Sequence, residues 1–142
     1  MEPSGNCPRV FMEYCQHGQL EQAKEIYHST NIDIHAEQEL VFRLCCFDGL
    51  LEMAQWLYSL GDVDIHIKHE DAFRGCCYYG HLNLAQWLYS LGNIDIHAEN
   101  EDAFRGCCIN GQLHVAQWLY SLGVSNLDVD IHSKSEDTFR YC

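Results

Sequence analysis

The residues Trp-Leu-Tyr-Ser-Leu-Gly stand at 56–61, again at 87–92 and again at 118–123, a step of 31 each time. Other blocks keep the same step. Phe11, Phe42, Phe73 and Phe104 are 31 residues apart, and Phe139 follows 35 later. Asp-Ile-His recurs at 33–35, 64–66, 95–97 and 130–132. Several blocks sharing one period in the 20–50 residue range mark a repeat architecture, whether solenoid, propeller or array. The period divides one domain over 1–142 into an N-terminal cap at about 8–38, units at 39–69, 70–100 and 101–135, and a partial unit at 136–142.

The interior of one unit selects among these. Phe73, Cys76 and Cys77 recur at helical spacing behind Asp71, which is placed to cap the helix N-terminus, as are Asp102 and Asp137 in their own units. Gly80 is expected to end this helix in the left-handed conformation, with Gly18, Gly49 and Gly111 in the same slot. A second helix is predicted from about Leu82 to Leu91, carrying Leu84, Ala85, Leu88 and Leu91 on one face and stopped by Gly92. The polar stretch from Asn93 to Glu101 reads as an extended, turn-containing finger. Two helices and a loop leave no room for the four strands of a propeller blade. The expectation is an all-α solenoid of stacked helix-turn-helix repeats with projecting finger loops. A single pair cannot bury its own apolar face, so neighbours must stack.

Composition narrows the function. Eight Lys and Arg against 21 Asp and Glu give a formal charge of −13. That surface repels nucleic-acid phosphates and anionic membranes and favours partners with basic surfaces. The first residues lack the basic start and apolar stretch of a signal peptide, and no segment has the length to cross a bilayer. The reading is cytoplasmic, with a nuclear location also compatible, and nine cysteines held as thiols by a reducing compartment.

The unit resembles an ankyrin repeat. The ankyrin opening motif Thr-Pro-Leu-His-Leu-Ala-Ala corresponds to Asp71-Ala72-Phe73-Arg74-Gly75-Cys76-Cys77, and the inter-helix Gly-His-Leu is present as Gly80-His81-Leu82. The following Val-Val is similar to Leu84-Ala85, and the Gly-x-Asp-Val-Asn loop to Gly92-Asn93-Ile94-Asp95-Ile96-His97. The likeness covers about 6–142. Each unit is shorter than the usual ~33 residues, and neither the Thr-Pro nor the His of the opening motif is present. In its short Trp-Leu-Tyr-Ser-Leu-Gly type the chain resembles the ankyrin arrays of giant DNA viruses. The resemblance implies a non-enzymatic scaffold that binds a protein, a host protein in the viral case, through the concave face of the stack.

Side chains that differ between otherwise copied units are the candidate contacts. At the end of the first helix they are Phe47-Asp48, Tyr78-Tyr79 and Ile109-Asn110; in the finger they include Lys68-His69 and Glu99-Asn100. The resemblance places both sets on the concave face. Gly75 and Gly106 are expected to open a shallow groove beside Tyr78 and Tyr79.

The repeated residues read as scaffold. Cys45-Cys46, Cys76-Cys77 and Cys107-Cys108 occupy slots that the ankyrin family fills with alanines packed between helices. Units stacked ~8–10 Å apart exceed the ~7 Å Cα separation a disulfide tolerates. No Cys-x-x-Cys pair supports zinc. The column His35, His66, His97 and His132 is spaced too widely for two rings to share an ion, so hydrogen bonding within the loop is expected. Arg43, Arg74, Arg105 and Arg140 read as a ladder tying adjacent units. Trp56, Trp87 and Trp118, with Tyr58, Tyr89 and Tyr120, read as packing between second helices. A nucleophile should be unique in the chain, whereas every cysteine pair repeats, so no catalytic residue, metal or cofactor is expected. The remaining reading is a structural or self-assembling fragment of a larger array, joined through its C-terminal end, where six residues of a further helix pair stand without a cap.

Overall fold

The computed structural model describes residues 7–123. The partial unit at 136–142 and its open end, the four extra residues Val124-Ser125-Asn126-Leu127 of the last finger, and His132, Asp137, Phe139 and Arg140 lie outside the described residues. Eight α-helices and no strand occupy what is described. The chain divides into two compact units, Met1–Asp64 and Ile65–Cys142.

The first unit holds α1 (Cys7–Gln16), α2 (Leu20–Ser29), α3 (Ala36–Phe47) and α4 (Leu51–Ser59). Within it α1 packs on α2, α3 on α4, and α1 on α3. The second unit holds α5 (Ile67–Tyr79), α6 (Leu82–Ser90), α7 (Ala98–Ile109) and α8 (Leu113–Ser121), paired in the same way, with α5 against α7. The expected second helix over 82–91 is met to within a residue, though Leu91 is its half-buried C-cap.

Both units are built on the same side chains. Phe42, Phe73, Leu57, Leu88, Leu119 and the cysteines at 45, 46, 76, 77, 107 and 108 are buried almost completely. Cysteine fits because adjacent helices approach closely there and the thiol is a small, adaptable apolar group. Each first helix ends in a Schellman turn. In α5 the N–H of Gly80 donates to Cys77 O and that of His81 to Cys76 O, with Gly80 at φ +82°. The same two bonds close α1, α3 and α7. The positive φ is what fixes glycine at residue 80; the side-chain amide of Gln112, which also lies there, is a flexible end that can move.

Trp56, Tyr89 and Trp118 of the aromatic stripe pack between second helices as expected, while Tyr120 is exposed. Tyr27 meets Trp56 edge-on at 5.7 Å in the first unit, and Tyr89 meets Trp118 at the same distance in the second. Phe11 and Phe73 lie beside those same tryptophans, at 6.2 and 6.1 Å.

The fingers differ from the expected extended loop. Glu37-Gln38-Glu39, Lys68-His69-Glu70 and Glu99-Asn100-Glu101 all take left-handed helical angles, with φ between 54° and 65°. Each triplet is one left-handed turn joined directly to the right-handed helix behind it. Asp71 and Asp102 therefore stand where the right-handed helix resumes; the N-caps of α5 and α7 are His66 and His97, without a side-chain cap bond. L-residues pay ~1–2 kcal/mol each in this conformation, so a turn of three costs about 3–6 kcal/mol before compensation.

The compensation comes from residues downstream. In the second unit Arg74 Nε donates to His69 O at 2.9 Å and Nη2 to Lys68 O at 3.0 Å. Arg105 makes the same fork to Asn100 O and Glu99 O, at 2.9 and 3.1 Å. In the first unit Arg43 forks to Gln38 O and Glu37 O. Bonds to a charged group contribute about 1.5–3 kcal/mol apiece, so two of them match the strain of one turn. The arginine column is thus first a brace for its own finger. The expected tie between neighbouring repeats is also present at Arg74, whose Nη1 reaches Asp102 Oδ2 at 2.7 Å.

Candidate functional site

The Asp-Ile-His block builds the base of each finger. Its isoleucines, Ile34, Ile65 and Ile96, are buried and anchor the loop. Asp33 and Asp95 accept the backbone N–H of His35 and His97 at 2.9 Å, a local turn that aims the imidazole back at the helix. His35 and His66 then bond Glu39 and Glu70 at 2.8 Å through Nδ1, and His97 bonds Glu101 in the same way. The expectation of hydrogen bonding within the loop holds, and the acceptor is a buried carboxylate.

Those glutamates are the residues that sequence reasoning passed over. Glu39, Glu70 and Glu101 are each about 95% enclosed. Glu39 Oε1 also accepts the N–H of Asp64, and Glu70 Oε1 that of Asp95, each at 3.3 Å. One oxygen therefore ties two successive fingers together. The second oxygen, Oε2, is buried without a partner in all three. A signal for this was present: His, Glu and Arg recur at four-residue spacing as His35-Glu39-Arg43, His66-Glu70-Arg74 and His97-Glu101-Arg105.

On this braced backbone the tip side chains point outward. Lys68, His69, Glu99 and Asn100 are exposed while their carbonyls are held from behind, those of Lys68 and His69 by Arg74 and those of Glu99 and Asn100 by Arg105. His69 Nδ1 lies 3.9 Å from Glu99 Oε1, so these two tips are neighbours.

The other candidates cluster at the far end of the first helices. Tyr78 and Tyr79 are 44% and 54% exposed, with rings 4.9 Å apart and nearly perpendicular. Ile109 is 70% exposed and Asn110 is exposed beside it. Asn110 Nδ2 donates to Gly106 O at 3.0 Å. Leu113, at the start of α8, is a further exposed apolar residue outside the expected set. Roughly 12 Å of helix separates Asp71 from Tyr79, so the finger tips and the tyrosine cluster are distinct patches. Phe47, half-buried, and Asp48, exposed, hold the matching slots in the first unit.

Gly106 corrects the expected groove. It is buried, and the Tyr78 ring lies so close that a Cβ at residue 106 would sit 3.0 Å from Tyr78 Cδ2. The missing side chain is a seat occupied by Tyr78, whose Cδ2 approaches it most closely.

The cysteines offer little reactivity. Cys45 is pushed well above the ordinary thiol range by its hydrogen bond with Cys15 and by burial, and Cys77 by burial. Burial raises Cys107 to about 12. A nucleophilic cysteine requires the opposite shift. Cys7, Cys15, Cys45, Cys46, Cys76, Cys77 and Cys107 are thiols. Among the described residues no three His, Cys, Asp or Glu side chains converge on a point that would hold a metal, and no helix is long and apolar enough to cross a membrane.

No protein-family model matches the chain, and no curated protein matches it.

Proposed function

We propose that the chain is an ankyrin-like solenoid of ~31-residue helix pairs that serves as a non-enzymatic protein-binding scaffold. One observation carries the reading. Between units that are otherwise copies, Tyr78, Tyr79, Ile109, Asn110 and the tips Lys68, His69, Glu99 and Asn100 differ and are exposed, while the copied Phe, Leu and Cys positions are buried. Exposed side chains that vary on a framework otherwise repeated unchanged are what a recognition surface requires. Exposed aromatics are also the side chains that most often dominate binding energy. The acidic excess favours a partner with basic rim residues.

The test is a pull-down with three folded baits. They are the native chain, a Tyr78→Ala, Tyr79→Ala, Ile109→Ala variant, and a control altered at Asn83→Ala and His114→Ala. The control positions are exposed and also differ between units, but lie on the second helices. A protein retained by the native and control baits, lost from the triple variant and weakened by salt supports the reading. Equal retention by all three baits refutes it for this face.

A further inference from the structure

The repeat sets two different cysteine slots against one another. Later first helices carry adjacent cysteines, Cys45-Cys46, Cys76-Cys77 and Cys107-Cys108, while α1 carries Cys15 alone, in the slot 31 residues before Cys46. Where α1 packs on α3, Cys15 meets the other slot: Cys45 Sγ lies 3.7 Å from Cys15 O, and the two thiols share a hydrogen bond. Where α5 packs on α7, the same offset of 30 residues brings Cys77 and Cys107 near enough to act on one another electrostatically. All four are free thiols and completely buried. The ~8–10 Å spacing of ordinary helix pairs leaves no reach for a bond between repeats, but side chains as small as cysteine on both helices shorten it.

We infer that Cys15 with Cys45 and Cys77 with Cys107 are oxidisable dithiols, each pair closing into a disulfide that staples neighbouring repeats within its unit. The oxidant is a low-molecular-weight disulfide such as oxidised glutathione. One thiolate of a pair attacks it, breaking the small S–S bond and expelling one glutathione thiolate. The second cysteine then attacks the mixed disulfide at the protein sulfur and expels the other. Two protein thiols become one disulfide, the small disulfide is reduced to two thiols, and the two protein protons pass to the departing thiolates. Burial denies the oxidant direct entry, so exchange waits on local opening of the helix pair and is slow in both directions. The pairs therefore stay reduced through brief oxidation and, once bridged, resist reduction. The inference is independent of the interaction reading above, since it concerns the stack and not its surface.

The test equilibrates the whole chain at fixed total glutathione and rising disulfide-to-thiol ratio, folded and, in parallel, in concentrated urea. Remaining thiols are alkylated under denaturing conditions and the linked peptides mapped by tandem mass spectrometry. The folded chain should yield Cys15–Cys45 and Cys77–Cys107 links. They should be half formed at a ratio about tenfold or more below that needed in urea, because the fold supplies the proximity. Oxidised protein should then unfold at higher urea than reduced protein. Cys15→Ala combined with Cys77→Ala should abolish that difference. Cys46→Ala, altered beside Cys45, should keep the Cys15–Cys45 link and the difference, which separates loss of the staple from loss of a buried thiol. Four thiols still alkylated in the folded chain at a ratio that links them in urea overturns the inference. So does pairing of these four with other cysteines, or an oxidised form less stable than the reduced one.

Discussion

Replacing Gly106 by alanine puts the seat of Tyr78 to a quantitative test. Two opposing effects are set by the structure. Gly106 lies inside α7, where glycine to alanine is worth ~1 kcal/mol in helix propensity. Against this, the new Cβ meets Tyr78 Cδ2 at 3.0 Å, and the ring's own Cβ and Cγ stand at 3.8 Å. The ring is 44% exposed and can retreat toward solvent, surrendering part of its contact with the helix and with Tyr79. Losing that packing costs ~0.5–1.5 kcal/mol, so the net change in stability should stay within about 1 kcal/mol of zero. A double-mutant cycle isolates the contact. In a Tyr78→Ala background nothing opposes the propensity gain, and Gly106→Ala should stabilise by ~1 kcal/mol. The assay is urea unfolding of the four proteins, with near-ultraviolet circular dichroism reporting the displaced tyrosine. A loss above about 2 kcal/mol in the native background, or the same effect with and without Tyr78, would refute the packing described. If the interaction reading is right, the single variant should also weaken partner capture while remaining folded.

Two further expectations follow from burial. Leu88→Ala should destabilise by ~2–4 kcal/mol because the side chain is fully enclosed. Leu113→Ala, at 43% exposure, should cost under about 1 kcal/mol, and similar urea midpoints for the two would contradict the packing. The cysteines predict an alkaline limit. The folded state holds the Cys107 proton up to about 12 against an ordinary value of 9.0, and Cys77 is raised as well. The unfolded chain therefore sheds these protons first. Their contribution is intact below pH 9 and is lost as pH climbs toward 12, at ~1.4 kcal/mol per pH unit for each thiol. Thermal melts between pH 8 and 11 should show a steep fall that Cys107→Ala makes shallower; an unchanged slope would count against the shift.

What the sequence by itself determined is what neighbouring residues encode. The 31-residue period, the helix ends at Gly18, Gly49, Gly80 and Gly111, and the buried face of each helix rest on interactions within about one turn of chain. They were legible for that reason, as were the exposed positions Tyr78, Tyr79 and Ile109, which differ where the rest of the unit repeats. The left-handed form of the fingers became visible only in the structure, although the His-Glu-Arg spacing that braces it recurs in the sequence. Nothing local in Glu99-Asn100-Glu101 favours three left-handed residues, and it contains no glycine to make them easy. The turn exists because Arg105 grips two of its carbonyls from the following helix and His97 meets Glu101 across the turn. In the preceding repeat the bond from Asp95 to Glu70 spans 25 residues. Likewise Gly106 resembled an opening in the sequence and proved a seat, because only the packing of α5 on α7 brings the Tyr78 ring to it. The tie from Asp95 to Glu70 and the seat of Tyr78 belong to contacts between segments, so no short window of sequence contains them.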